Sequence, residues 1–345
     1  MKTLKDFTVA QKRILVRCDF NVPLDEQGNI IEEFKITETL PTIRYLIEHG
    51  AKIILMSHLG EPKDHEPVLQ LTKVAEKLSE LLAIPVATAN DCIGSEVQKL
   101  VTDLQPGQVL LLENLKFNPG EKANDPAFAK ALAALGDTYI NDAFASCHRN
   151  YASVVEVTHY LPHGAGLLLE KEVANLNKIL QHPERPMVAL IGGTKVETKA
   201  RLIETICKVA DSVIVSGLIK KEIEERQLQF ASPEKIIGPK DNLAALDINQ
   251  ASIQAFREKI MQAKTVFWNG PFGKFEDAEY KIGTLAIANT IIESGAFSVV
   301  GGGETVEFIN KEHLLPKFSH VSTGGGAMLS FLSGEKLPGL EALEA

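Results

Sequence analysis

The chain has 345 residues, 45% hydrophobic and 23% charged, with a formal net charge of −9; that is more sequence than one compact core usually serves, so two domains are expected. The acidic balance argues against nonspecific nucleic-acid binding but leaves room for an anionic small molecule in a locally basic pocket. No apolar run is long enough to span a bilayer, Met1 to Phe7 lacks a signal-peptide core, and Cys18, Cys92, Cys147 and Cys207 show no metal-ligand spacing, so a cytoplasmic protein with reduced thiols is expected.

In chain order, short β-branched runs alternate with segments of helical period. Arg13–Cys18, Lys52–Met56, Val109–Leu112 and Thr138–Ile140 read as strands in the first half, and Met187–Ile191, Ser212–Val215, Thr265–Trp268 and Phe297–Val300 in the second. Between them, Leu71, Val74, Ala75, Leu78, Leu81 and Leu82 mark one face of an amphipathic helix. Strands apolar on both faces and separated by helices predict an α/β fold with parallel sheets covered on both sides. Leu169, Val173, Leu176, Ile179 and Leu180 form a second helical stripe, ended by Pro183 and Pro186, which predicts a connecting helix at the domain boundary.

The inferred strands end alike. Asp19-Phe20-Asn21, Ser57-His58-Leu59-Gly60, Glu113-Asn114-Leu115-Lys116, Asn141-Asp142, Gly192-Gly193-Thr194-Lys195, Asn269-Gly270-Pro271 and Gly301-Gly302-Gly303-Glu304-Thr305 each follow an apolar run directly. Carboxyl ends of strands are where open α/β sheets bind ligands, so a site on each sheet is expected. The triple glycine ahead of Glu304 suits backbone amides converging on a phosphate, or else tight strand–helix packing. No GxxxxGK[ST] run occurs, and no GxGxxG follows the first strand, which excludes a P-loop enzyme and argues against a dinucleotide dehydrogenase.

Arg17-Cys18-Asp19-Phe20-Asn21-Val22-Pro23, Ser57-His58-Leu59-Gly60, Asn141-Asp142-Ala143-Phe144 with His148-Arg149, Trp268-Asn269-Gly270-Pro271 and Ser322-Thr323-Gly324-Gly325-Gly326 resemble phosphoglycerate kinase segments in that family's order, from about Lys12 to Gly339. The resemblance implies two Rossmann-like domains joined by a helix hinge: 1–168 binding phosphoglycerate, 169–186 connecting, 187–323 binding nucleotide, and 324–345 returning to the first domain. It implies reversible phosphoryl transfer between ATP and 3-phosphoglycerate, with Mg bound alongside ATP or ADP, in a monomer without nucleic-acid or membrane partners. It assigns Asp19, Asn21 and His58 to the hydroxy-acid part of the acceptor and Arg149 to its phosphate. Lys195 and Lys199 would meet the transferring and nucleotide phosphates, Glu276 the ribose, and Gly302, Gly303 and Thr305 the phosphate turn, with Asn269 also binding nucleotide. Lys35, Lys195, Gly302 and Gly325 would form the catalytic centre.

Several working positions depart from the family pattern. Lys35 and Lys116 stand where arginines are usual, losing the bidentate fork. Glu61 replaces the arginine after His-Leu-Gly; two like charges about 4 Å apart repel by roughly 4 kcal/mol at an effective dielectric near 20, so a Glu61 aimed at the substrate phosphate would oppose binding. Glu304 replaces a metal-binding aspartate and can still ligate Mg. Lys274 stands where a small apolar residue is usual, and the passage from Lys220 to Asp247 is shortened, which reduces the adenine region. An active, divergent kinase is the leading expectation; alternatives are a pseudoenzyme acting as a binding or regulatory protein, and a kinase with a changed acceptor or nucleotide.

Overall fold

The computed structural model describes residues 1–194, 196–240 and 242–344. The chain divides into two compact units, Met1–Glu172 together with the chain from Lys336 onward, and Val173–Glu335.

In the first unit, β1 (Arg13–Arg17), β2 (Lys52–Met56), β3 (Val86–Thr88), β4 (Val109–Leu111), β5 (Thr138–Asn141) and β6 (His163–Ala165) form one parallel sheet in the order β3-β4-β2-β1-β5-β6. Its central strands are buried on both faces, as their continuous apolar runs predict. The helix Phe34–Glu48 lays Ile36, Leu40 and Ile43 on the same core as Ile14, Val16, Ile53 and Leu55. The predicted helix after Leu71 spans Thr72–Leu82 and buries Val74, Ala75 and Leu78.

The second unit repeats the architecture. Here β7 (Met187–Ile191), β8 (Ser212–Val215), β9 (Ile236–Ile237), β10 (Thr265–Asn269), β11 (Phe297–Gly301) and β12 (His320–Val321) pair in parallel in the order β12-β11-β10-β7-β8-β9. All eight strands read from the sequence are present, and the four not anticipated, β3, β6, β9 and β12, are the sheet edges. Each edge strand has two or three residues, too few to display a period.

The connecting helix spans Leu167–Gln181, so the division between the units falls inside it. Asp142, just past β5, holds its start: Oδ1 accepts from the amides of Leu168 at 2.9 Å and Leu169 at 3.2 Å. Residues 324–335 stay with the second unit, and only the chain from Lys336 joins the first. Between the helices Gly217–Glu225 and Gln250–Ile260, the described residues contain only a 3-10 turn at Pro233–Lys235 and the two-residue β9.

Candidate active site

In the first unit, the carboxyl ends of β1 and β2 are tied together before any ligand is considered. The amide of Phe20 donates to Ser57 Oγ at 2.8 Å, and the amide of Gly60 donates to Asn21 Oδ1 at 2.8 Å. Into this frame the helix Phe34–Glu48 sends Lys35, whose Nζ donates to Asp19 Oδ2 at 2.8 Å. Burial opposes ionisation of Asp19, but the Lys35 ammonium, joined by His58 and the Asn21 amide, outweighs it and the carboxyl sits below its ordinary value.

His58 is buried, and its Nδ1 lies 3.1 Å from Arg17 Nη2. A guanidinium only donates, so Nδ1 accepts and the ring proton resides on Nε2. Burial, reinforced by the Arg17 charge, pushes the imidazole down to about 3, leaving it neutral throughout the working range. Arg17 is itself fully buried: Nε donates to Ser153 Oγ at 2.7 Å, and Ser153 Oγ donates to Glu121 Oε1 at 2.6 Å. His58 is thereby presented as a fixed N–H donor.

Asp19, Asn21, Lys35, His58, Glu61, Lys116 and Arg149 all line one cavity of about 140 Å³, completed by Ala145, Ser146, His148 and Tyr151. Glu61 does not stand alone there. Its Oε1 accepts from Lys116 Nζ at 2.5 Å and its Oε2 from Lys122 Nζ at 2.6 Å. Partial burial pushes the Glu61 carboxyl up, but the two lysines prevail and hold it at about 2. The Lys116 ammonium moves the other way: its burial outweighs the pairing and lowers it. Glu61 at this cavity is therefore paired with two cations, partners its expected repulsion of a substrate phosphate did not include.

In the second unit, a larger cavity of about 280 Å³ opens at the ends of β7, β8 and β10, among Gly193, Ser216, Leu218, Leu246, Phe272 and Glu276, with Glu304 and Lys274 also at its wall. Beside it the turns are packed backbone to backbone. Gly302 has φ +102°, and a Cβ there would lie 2.6 Å from Asn269 Nδ2. Asn269 Nδ2 donates to Gly301 O at 2.8 Å, its Oδ1 accepts from Lys199 Nζ, and Thr305 Oγ1 accepts from the Gly270 amide at 2.7 Å. Asn269 and Thr305 are fully buried and absent from the cavity wall, so they hold the turns that would meet phosphate. Gly325 opens the helix Gly325–Leu332 close by, where a Cβ would lie 3.8 Å from the Gly303 amide nitrogen. Burial lowers the Lys199 ammonium to about 8, against the pull of Glu304. Lys195 lies outside the described residues.

The family model for phosphoglycerate kinase matches residues 4–228 and 220–335. This chain belongs to the phosphoglycerate kinase family. Phosphoglycerate kinase of Chlorobium phaeovibrioides is 42% identical over 392 residues, covering 99% of each chain, and that of Moorella thermoacetica 41% identical over 387 residues. The solved phosphoglycerate kinase of Pyrococcus horikoshii superposes with a TM-score of 0.90 at 31% identity, covering all of this chain and 98% of the other; that of Coxiella burnetii gives 0.84 at 31% identity, covering 99% and 98%.

An alignment of 392 residues onto a chain of 345 means that phosphoglycerate kinase relatives carry sequence this chain lacks. The two matches of the family model overlap at 220–228, inside the Lys220–Asp247 passage where a shortening was expected. There the loop carrying Ala245 and Leu246 supplies the cavity wall, and the Lys274 amide donates to Leu246 O at 2.8 Å. The Lys274 ammonium turns to Asp277 Oδ2 at 2.7 Å. Sequence reasoning did not select Lys122, Tyr151, Leu218 or Phe272 as site residues. Tyr151 lies two positions past Arg149 in a recognised motif, and Phe272 directly follows Asn269-Gly270-Pro271; Lys122 gives no local signal.

Proposed function

We propose that this protein catalyses reversible phosphoryl transfer between ATP and 3-phosphoglycerate, giving ADP and 1,3-bisphosphoglycerate. The observation that carries this reading is the convergence of Asp19, Asn21, Lys35, His58 and Arg149 on one cavity. Asp19 accepts from the acceptor's hydroxyl, His58 donates through Nε2, and Arg149 with Lys116 and Lys122 neutralises its phosphate. In the second unit the glycine turns and Lys199 take the nucleotide phosphates, and Glu276 the ribose.

Transfer needs little covalent help. An acceptor carboxylate oxygen bonds to the γ-phosphorus as the bond to the bridging β–γ oxygen breaks, and positive charge retained on each unit, Lys35 on the first and Lys199 on the second, offsets the charge of the bound anions. Among the described residues no cluster of three metal-ligating side chains occurs, while Glu304 presents one carboxylate at the cavity wall. One carboxylate with nucleotide phosphates and water is a donor set suited to Mg. The ion supplies charge neutralisation on the phosphates when bound; Glu304 would hold it. On this reading the protein works as a monomer in the cytoplasm.

The test is ADP formation from ATP and 3-phosphoglycerate with Mg, using purified protein. Turnover is expected, and its loss in Lys199→Ala is expected alongside. Absence of turnover above that variant, with another acid acceptor active, would refute the assignment. No observation favours a protein that binds without turnover.

A further inference from the structure

We infer that Glu61 is a built-in competitor that keeps free anions out of the acceptor's phosphate subsite. The inference rests on the acceptor-site reading above and assigns Glu61 a selective role within it.

The partners are unequal. The Lys116 side chain is 3% exposed and is further held by its contact with Gly60 O at 3.2 Å, whereas the Glu61 side chain is 66% exposed. The lysine is thus fixed and the carboxylate is the movable member. The Glu61 backbone is anchored, because the preceding Gly60 amide is bound to Asn21. Glu61 therefore stays at high local concentration near Lys116 and Lys122, as any tethered group does. With its carboxyl held at about 2, it remains an anion at every pH at which an assay is run.

An incoming free phosphate gains only the cations of that subsite and must outcompete a tethered carboxylate for two of them, Lys116 and Lys122. The acceptor differs: once its hydroxy-acid end is held by Asp19, Asn21 and His58, its own phosphate is tethered as well. One tethered anion can then displace the other, and the exposed Glu61 side chain swings to solvent. The phosphate end by itself is insufficient, so small anions are rejected while the two-ended ligand is accepted.

The test compares wild type with Glu61→Gln, whose exposed position and preserved shape leave folding intact, as a melting curve checks. Inorganic phosphate is the probe, titrated by calorimetry into each protein and used as a competitive inhibitor against 3-phosphoglycerate. Glu61→Gln is expected to bind and be inhibited by phosphate about tenfold more tightly, and to lower KM for 3-phosphoglycerate by more than it changes kcat. Equal or weaker phosphate affinity in Glu61→Gln, or no phosphate binding by either protein, overturns the inference and makes Glu61 a holder of the lysines. If phosphate affinity rises as expected but neither protein turns over 3-phosphoglycerate, the competitor role stands and the proposed function fails.

Discussion

Lys199 offers the sharpest link between burial and nucleotide affinity. It stands immediately before the helix Ala200–Val209, with Nζ donating to Asn269 Oδ1 beside the Gly301–Gly303 turn. Burial disfavours the ammonium and brings it to about 8, with Glu304 opposing. The sign follows directly: the group is charged below about 8 and neutral above it, so its attraction for phosphate is lost as pH rises. From that midpoint, about nine-tenths of the molecules carry the charge at pH 7 and about one-tenth at pH 9. If nucleotide binding requires the ammonium, the dissociation constant for ADP rises about tenfold between those values, equivalent to about 1.4 kcal/mol. Calorimetry with Mg and ADP at pH 7, 8 and 9 reads the slope. Arginine stays charged throughout, so Lys199→Arg should show a flat profile over the same range. Equal ADP affinity at pH 7 and 9 in wild type, or the same slope in Lys199→Arg, would refute the reasoning.

Three further outcomes are expected. Lys35→Arg restores a planar fork opposite Asp19 and should raise kcat/KM for 3-phosphoglycerate roughly tenfold in steady-state assays; no gain would mean that the seat on Asp19 admits only a point charge. Burial raises the Asp142 carboxyl to about 7, against its hydrogen bonds to the connecting helix. The folded form therefore keeps its proton longer than the unfolded chain, and stability falls as pH rises from about 4 through 7, by about 4 kcal/mol at most. Urea titrations at pH 5 and 8 should show this loss in wild type and a smaller one in Asp142→Asn, and identical profiles would count against it. Gly302→Ala puts a methyl group against Asn269 at a backbone φ of +102° and should cost about 1–3 kcal/mol of stability together with ADP affinity, seen in melting and calorimetry; a variant as stable and as tight-binding as wild type would exclude the strain.

What could be read from the sequence divides along physical lines. The interior strands were legible because burial on both faces demands continuous apolar runs, as at Ile14–Val16 or Val188–Ile191. The edge strands were not, because a pairing as short as Val213 with Ile236 and Ile214 with Ile237 is made by the neighbouring strand and leaves no period of its own. The site residues of the first unit were legible as strand endings, since Asp19, Asn21, His58 and Lys116 each follow an apolar run by a few positions. Thr305 and Asn269 were legible as parts of the polar strand endings, but not as their buried supports. Which way a polar side chain turns depends on partners in other strands, here the Gly270 amide for Thr305 and the Gly301 carbonyl for Asn269.

Glu61 lines the cavity that its neighbours in the chain led us to expect, but its pairing could not be read from them. Its place at the proposed acceptor site follows from its neighbours in the chain, and so does its charge. Its energetics do not, because they depend on Lys122, which is 61 residues distant and sits on the helix Pro119–Lys122. Read alone, a carboxylate in a phosphate subsite is a pure penalty. Set between two ammonium groups, it offsets the cost of holding like charges together in a partly buried pocket, and the penalty falls only on a ligand that must remove it. The lysine at 116 then takes on a different meaning from that of a weakened arginine. A guanidinium held by two parallel bonds to Glu61 would be hard to displace, whereas separate point contacts from two ammonium groups onto an exposed carboxylate are more easily exchanged. Glu61 and Lys116, both expected departures from the family pattern, therefore fit together as one adjustment of the same cavity.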